Sequence, residues 1–590
     1  MNKLILLCTA VILFSCKNEN TEKEESSQTN FSTLLKEYNE EGYELDPMMA
    51  TNAGDSRFNT KFPNVLSEEY KAKKKAYYTK YKTVLTQIDT SHLTETEKMS
   101  KAVLLWDCNI NLEAMTFNTD LMPLDQMWSI NLYFNQYAGG TNAQPFKTVQ
   151  DYKDWLVRVD AYLIWLNSAK KMMKKGMETG YVLPKSLIVK VIPQFEALAE
   201  LPVEEHLYYA PIKNIPDNFT KEEIKELTEA YRSMVETKII PAHKEMVTFL
   251  NGDYLSSGRM SSGITDTPLG SEYYAHQVKK YTTTNMAADE IHELGLKEVS
   301  RIRSEMEAVK EEVGFKGDLK AFFMHVRTNK DLMPFTERSQ VIAFYDSIHQ
   351  VMKPQIDKLF GNQPTTAFEV RRTEPFREKS AAANYNPGSI DGSRPGIFYT
   401  PIPEVEKYNI YDKEDLFLHE AIPGHHFQIS LAQENDELPD FRKTLWYSAY
   451  GEGWALYTES MGKELGLYKD PYQYFGMLSG EMHRAVRLVV DTGLHAKGWT
   501  REQAIAYSLD NEAESEASIT SEIERYMANP GQALSYKIGQ LKIRELRAKS
   551  EELLGEKFDI REFHNQVLET GCIPLQLLEQ KIDTWLMAGK

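Results

Sequence analysis

One period dominates the chain: apolar residues return every three to four positions, with charges between them. "SEEYKAKKKAYYTKYKTVLTQI" and "KEEIKELTEAYRSMVETKIIPAHKEMVTFL" are clear examples. Such spacing lines apolar side chains along one face of an α-helix and leaves the other face in water. A chain written this way folds by packing helix on helix. The pattern holds from Phe31 to about Asn251 and returns from Glu414 to the C-terminus. A Gly- and Ser-rich stretch from Gly252 to Gly270 marks off an N-terminal helical region, 31–251, from a second region, 252–590. "NYNPGSIDGSRPGIFYTP", 384–401, departs from the period. Its turn signals and short aromatic run read as a hairpin or an edge strand. The expectation is a mostly α fold with one small β-sheet edge.

The first residues, "MNKLILLCTAVILFSC", carry Lys3, then an apolar run from Leu4 to Phe14, then Ser15-Cys16. That run is too short to span a bilayer and reads as an export signal, 1–15. "LFSC" resembles the bacterial lipobox, which would make Cys16 the lipidated first residue of an envelope protein, anchored to the outer membrane on its periplasmic or surface side. "KNENTEKEESSQTN" is polar with almost nothing to bury, so 16–30 is expected to be a flexible tether. Net charge is −18, from 68 basic and 86 acidic residues, which argues against a nucleic-acid partner. Only Cys108 and Cys572 remain in the body, so cysteine supplies no metal site.

"HEAIPGHHFQ", His419 to Gln428, opens like the zinc-binding H-E-x-x-H, but Pro423 stands where the second His belongs. On a regular helix His425 would point about 120° away from His419, and His426 would lie about 10 Å along the axis. Neither could share a tetrahedral ion with His419. Pro423 lacks an N–H, and its ring clashes with the carbonyl four residues back, which is that of His419. Gly424 accepts unusual backbone angles. Together they can force a bulge that returns the next histidine to a position one turn after His419. Zinc peptidases in which a Gly precedes the second His favour His425 as the ligand, with His426 as the alternative. "HELGL", His292 to Leu296, begins similarly but has Leu296 at the fourth position, and a charged surface helix accounts for it.

"YGEGWALYTESMG" places Glu452 and Glu459 seven residues apart on one helix face. It resembles the E-G-x-A-x-Y-x-E pattern of the gluzincin peptidases, whose first Glu ligates zinc. By that resemblance Glu452 joins His419 and His425 in a set of two His and one Glu, with one open position. Glu459 then fits as acceptor from a ligand imidazole. With "SIDGSRPGIFY", "VVDTGLHAKGWT", "RYMANPGQALSYKIG" and "FHNQVLETGCIPL", these motifs resemble a large bacterial family long catalogued as a domain of unknown function and grouped with the gluzincin metallopeptidases. The resemblance runs from about Phe31 to the end. It implies a large helical zincin-like fold, similar to the angiotensin-converting-enzyme and oligopeptidase group, and one zinc per chain.

In such chemistry zinc would acidify a water and polarise the scissile carbonyl, and Glu420 would be the general base. The oxyanion needs a donor, and the candidates are Tyr536, favoured, with Tyr526 and His495. Arg484 and Arg487 could hold a peptide carboxylate, or Arg487 could pair with Asp491 one turn on. Arg394 and Tyr399 lie in the expected edge strand, where substrate backbone could add. The leading reading is a zinc metallopeptidase for short peptides. A peptide-binding lipoprotein without catalysis and a zinc hydrolase of non-peptide amides are the alternatives. An intact Glu420 speaks against the first of these, because binding needs no base.

Overall fold

The computed structural model describes residues 19–589 apart from 141, 376, 377, 380 and 391, with side chains from Phe31 onward. The export signal and Cys16 lie outside the described residues. The expected tether runs into the first helix, α1 (Glu19–Leu45). Glu, Lys and Gln, all good helix formers, are frequent there.

Of the helices, those used below are α2 (Glu68–Gln87), α3 (Glu95–Ala114), α4 (Gly270–Thr282), α5 (Ala288–Glu312), α6 (Lys413–Glu420), α7 (His425–Glu434), α8 (Ser448–Glu459), α9 (Pro471–Ala496), α10 (Glu516–Ala528) and α11 (Ser535–Leu554). The strands are β1 (Phe368–Arg372), β2 (Asn384–Asn386) and β3 (Gly396–Thr400). The fold is mostly α, as the helical period requires. Among the described residues no helix is long and apolar enough to cross a membrane.

The stretch beginning "KEEIKELTEAY" is helical as its period predicts. A capping box between Thr220 and Glu223 starts it. It then widens into π-type turns at Val235–Ile239 and Leu250–Tyr254. The first of these precedes Pro241, which cannot supply the N–H that a regular helix needs. Helix therefore continues past Gly252 to Ser257, farther than the Gly/Ser composition suggested.

Apolar side chains gather in two large cores. One draws its buried members from Met48 to Tyr254 and centres on Phe134, whose ring stacks on Tyr162 at 4.3 Å and Trp155 at 4.9 Å. The other draws its buried members from Ile264 to Leu586 with Val103 and Leu187 from earlier in the chain, and the partly buried Met99, Trp106 and Met122 pack against it. A small cluster from Phe31 to Cys108 ties α1 to α2 and α3. Cys108 and Cys572 are both buried free thiols.

Within the second core α5 packs along α9. A Cβ on Gly295 would stand 2.7 Å from that of Leu488, so the two backbones nearly touch. "HELGL" thus has His292 and Gly295 on the buried face, while Glu293 and Leu296 stay exposed as expected of a surface helix. His292 is buried, with Nδ1 2.8 Å from Thr492 Oγ1 and its ring edge-on to Trp499.

The sheet order is β1-β3-β2, with β1 parallel and β2 antiparallel to β3. The hairpin expected in 384–401 is therefore present as β2 and β3, but the run Gly396–Thr400 is the central strand. Both its edges are already hydrogen-bonded, so it cannot receive another strand. Tyr399 lies half-buried in β3, opposite Asn384. Arg394 lies outside the strand, in the exposed connection, where its N–H donates to Ser389 Oγ at 2.9 Å. The strand-addition role expected for these two residues has no free edge at β3, and the sheet's edge on that side is β2.

Candidate metal centre

The Pro-Gly pair acts more strongly than a bulge. It ends α6 at Glu420, and α7 begins at His425. The Ile422–Pro423 peptide is cis. Gly424 allows the chain to fold back closely, since a Cβ there would stand 2.0 Å from the His419 carbonyl oxygen and 2.3 Å from that of Leu418. No side chain fits that space.

α8 crosses this break and secures it residue by residue. Trp454 donates its indole N–H to the Pro423 carbonyl at 2.9 Å. Thr458 donates to the Leu418 carbonyl at 3.0 Å, meeting a carbonyl left free at the helix end. Gly453 lies on Gly539 of α11, where a Cβ would come within 2.5 Å of the Gly539 Cα. Tyr457 reaches His564 at 2.8 Å. The motif "GEGWALYTE" is thus a helix with a distinct contact at nearly every position.

The result is a cluster of His419, His425 and Glu452 whose ligand atoms all lie within 4.8 Å of one another. Glu452 Oε2 stands 3.5 Å from His419 Nε2 and 3.6 Å from His425 Nε2. Both separations are too long for a good hydrogen bond. They match the edge of a zinc tetrahedron, about 3.4 Å for ligand bonds of about 2.0–2.1 Å. Glu459 Oε1 accepts from His419 Nδ1 at 2.6 Å, which directs Nε2 toward the cluster. This donor set and spacing fit a zinc ion. Burial alone would lower the His419 pKa, but Glu452 and Glu459 hold it well above the ordinary imidazole value. Burial would raise Glu452, and the two histidines hold it well below the usual carboxylate range. Glu420, at the end of α6, is half-buried, and its carboxylate accepts no hydrogen bond from any described residue.

His426 points away from the cluster. Its Nδ1 is 2.9 Å from the Tyr385 hydroxyl, and its ring lies 5.0 Å from that of Phe368. It anchors the sheet to α7, so the alternative ligand is not at the centre, and burial lowers its pKa to about 4.

The other expected residues divide. Tyr536 is half-buried beneath the Arg487 guanidinium, 4.5 Å from its ring centre. It sits next to Ser535, whose hydroxyl meets Ser448 of α8 at 2.7 Å. Tyr526 is not a free donor: it is buried, donates to Glu522 at 2.7 Å and accepts from Arg487 at 3.0 Å. Arg487 also pairs with Glu522 at 2.9 Å, so its charge is already matched. It does not pair with Asp491, which accepts from Tyr274 at 2.6 Å and from the Gly531 N–H. His495 is fully buried between the Ile264 N–H and the Tyr526 carbonyl, both at 3.0 Å, and burial lowers its pKa to about 3. That makes it structural, not an oxyanion donor. Arg484 donates to the Gly480 carbonyl at 3.2 Å, beside Asp415.

Sequence reasoning missed Asp415, Trp454 and Thr458. Asp415 lies one turn before His419, a spacing that could have signalled it. Burial, and then Glu459, raise its pKa well above the usual carboxylate range. Trp454 and Thr458 share the same one-turn spacing within α8.

A family model described as "Bacterial protein of unknown function (DUF885)" matches residues 47–582. A solved structure described as "the putative lipoprotein from Colwellia psychrerythraea" superposes with a TM-score of 0.85 at 28% identity, covering 95% of this chain and 99% of that one. A second, "a putative lipoprotein of unknown function from Shewanella oneidensis", gives 0.74 at 19% identity, over 93% and 98% of the two chains, and is similar in fold. No curated protein matches the chain.

Proposed function

The chain belongs to the family described as "Bacterial protein of unknown function (DUF885)", and we propose that it hydrolyses short peptides at a zinc ion held by His419, His425 and Glu452. The observation that carries this reading is the Glu452 oxygen standing 3.5 and 3.6 Å from two imidazole nitrogens, with Glu459 behind the first. A zinc ion bound there supplies a Lewis acid and an acidified water. Glu420, adjacent in sequence to His419, takes the proton of the attacking water and returns it to the leaving amine. Glu459 holds the His419 ring in one tautomer and orientation. Tyr536 is the remaining candidate for donation to the oxyanion, since Tyr526 and His495 are committed elsewhere.

Protein purified without added metal is expected to contain about one zinc per chain. Elemental analysis measures this, and a peptide-library digest read by mass spectrometry measures cleavage. A chain without transition metal whose melting temperature zinc does not raise rules the centre out. A zinc-loaded chain that cuts no peptide rules the peptidase reading out.

The resemblance to chains described as lipoproteins supports a lipid anchor at Cys16, as "LFSC" suggested. Cys16→Ala is then expected to move the protein from the membrane to the soluble fraction, or to block its processing. Unchanged fractionation and migration count against the anchor.

A further inference from the structure

Trp446 stands in the segment between α7 and α8, and no role in the metal centre has been assigned to it. Its ring packs against the start of α8. Three of its ring carbons would come within 2.2–2.6 Å of a Cβ built on Gly451, so that position admits only glycine while the indole is there. The same ring lies 5.7 Å from the ring of His425. Gly451 directly precedes Glu452, so the indole adjoins two of the three metal-binding side chains. Even so, 44% of Trp446 remains exposed.

Single exposed apolar residues are common and need no special account. Trp446 differs in being fixed. It packs where Gly451 leaves the backbone bare, and its ring adjoins that of His425. A large rigid aromatic surface gives much contact area for little loss of side-chain freedom. Beside a catalytic metal, the group brought against such a surface is the one attached to the reacting carbonyl or amine.

We infer that Trp446 is the wall of an apolar subsite, and that it takes the aromatic or large aliphatic side chain of the residue adjoining the scissile bond. This inference rests on the proposed peptidase reading, because it takes substrate to be bound at the metal. It names the substrate class of that same site: peptides with an apolar residue at the cut. Trp446 acts by binding and supplies no proton.

The test uses zinc-loaded full-length protein and a series of hydroxamates bearing a benzyl, isobutyl or methyl group, with affinity measured by calorimetry. The wild type is expected to favour benzyl over methyl by about tenfold or more. Trp446→Ala should reduce that preference to within about threefold, and Trp446→Phe should retain most of it, because a phenyl face still stacks. Zinc content should be the same in all three proteins, which separates a lost wall from a damaged centre. An unchanged benzyl preference in Trp446→Ala overturns the subsite, as does a wild type without any preference. A wild type that binds hydroxamates with the expected preference but cleaves no library peptide retains the subsite and loses the peptidase reading. A zinc-loaded wild type that binds none of the series overturns both.

Discussion

Glu420→Gln is expected to keep its zinc and lose turnover by about 10²–10⁴-fold, the usual share of a general base. The substitution is nearly isosteric and changes none of the three side chains that converge at the centre. Glu420 ends α6 half-buried, without a hydrogen bond from any described residue, so no structural partner is orphaned by losing the charge. Binding of hydroxamates should persist while kcat collapses. Metal analysis alongside single-turnover kinetics on one substrate measures both quantities in the same sample. A variant with full turnover would mean that another group moves the proton, and the hydrolytic mechanism would fail even with zinc present.

The second large effect separates two adjacent histidines. His425→Ala removes a nitrogen that lies 3.6 Å from Glu452 Oε2, and it should empty the centre. Its loss of zinc affinity should exceed the about 10–100-fold typical of losing only a supporting partner. His426→Ala should keep the metal. Its cost lies elsewhere: the Tyr385 hydroxyl loses a buried partner and the sheet loses its contact with α7. Losing a hydrogen bond of that kind costs about 0.5–1.5 kcal/mol, so this variant should melt earlier while binding zinc normally. Zinc titration and thermal unfolding of the two variants together decide the assignment. If His426→Ala is the variant that loses zinc, the assignment of His425 is wrong.

Much of this was legible because local chemistry enforces it. The apolar period specifies helices wherever it persists, and "YGEGWALYTESMG" sets Glu452 and Glu459 on one face whatever surrounds them. Pro423 and Gly424 forecast that the helix could not pass straight through, although the outcome is a full break and not a bulge. Less legible was anything decided by distant partners. Arg487 and Tyr526 look like substrate contacts until α10 packs on α9, where the two bond each other and both donate to Glu522. His495 looks catalytic until it is seen between the Ile264 amide and the Tyr526 carbonyl. "HELGL" looks like a surface because its charges are visible in the sequence, whereas the close approach at Gly295 is visible only once α9 is in place. Strand order was hidden for the same reason: β3 becomes central only when β1 pairs with it.

The glycine contact between α8 and α11 also limits how the molecule can move. A Cβ on Gly453 would meet Gly539 at 2.5 Å, and one on Gly539 would meet the Ala449 carbonyl at 1.9 Å. Sliding α8 by one residue would bring Glu452 or Trp454 onto Gly539, and neither can fit there. The two helices are therefore locked in register, and close-packed interiors of this kind do not deform smoothly. Trp454 and Thr458 extend the lock to the break between α6 and α7. The elements that carry the ligands are thus held as one stiff body. Any motion that admits or releases a molecule must therefore carry α8 and α11 together.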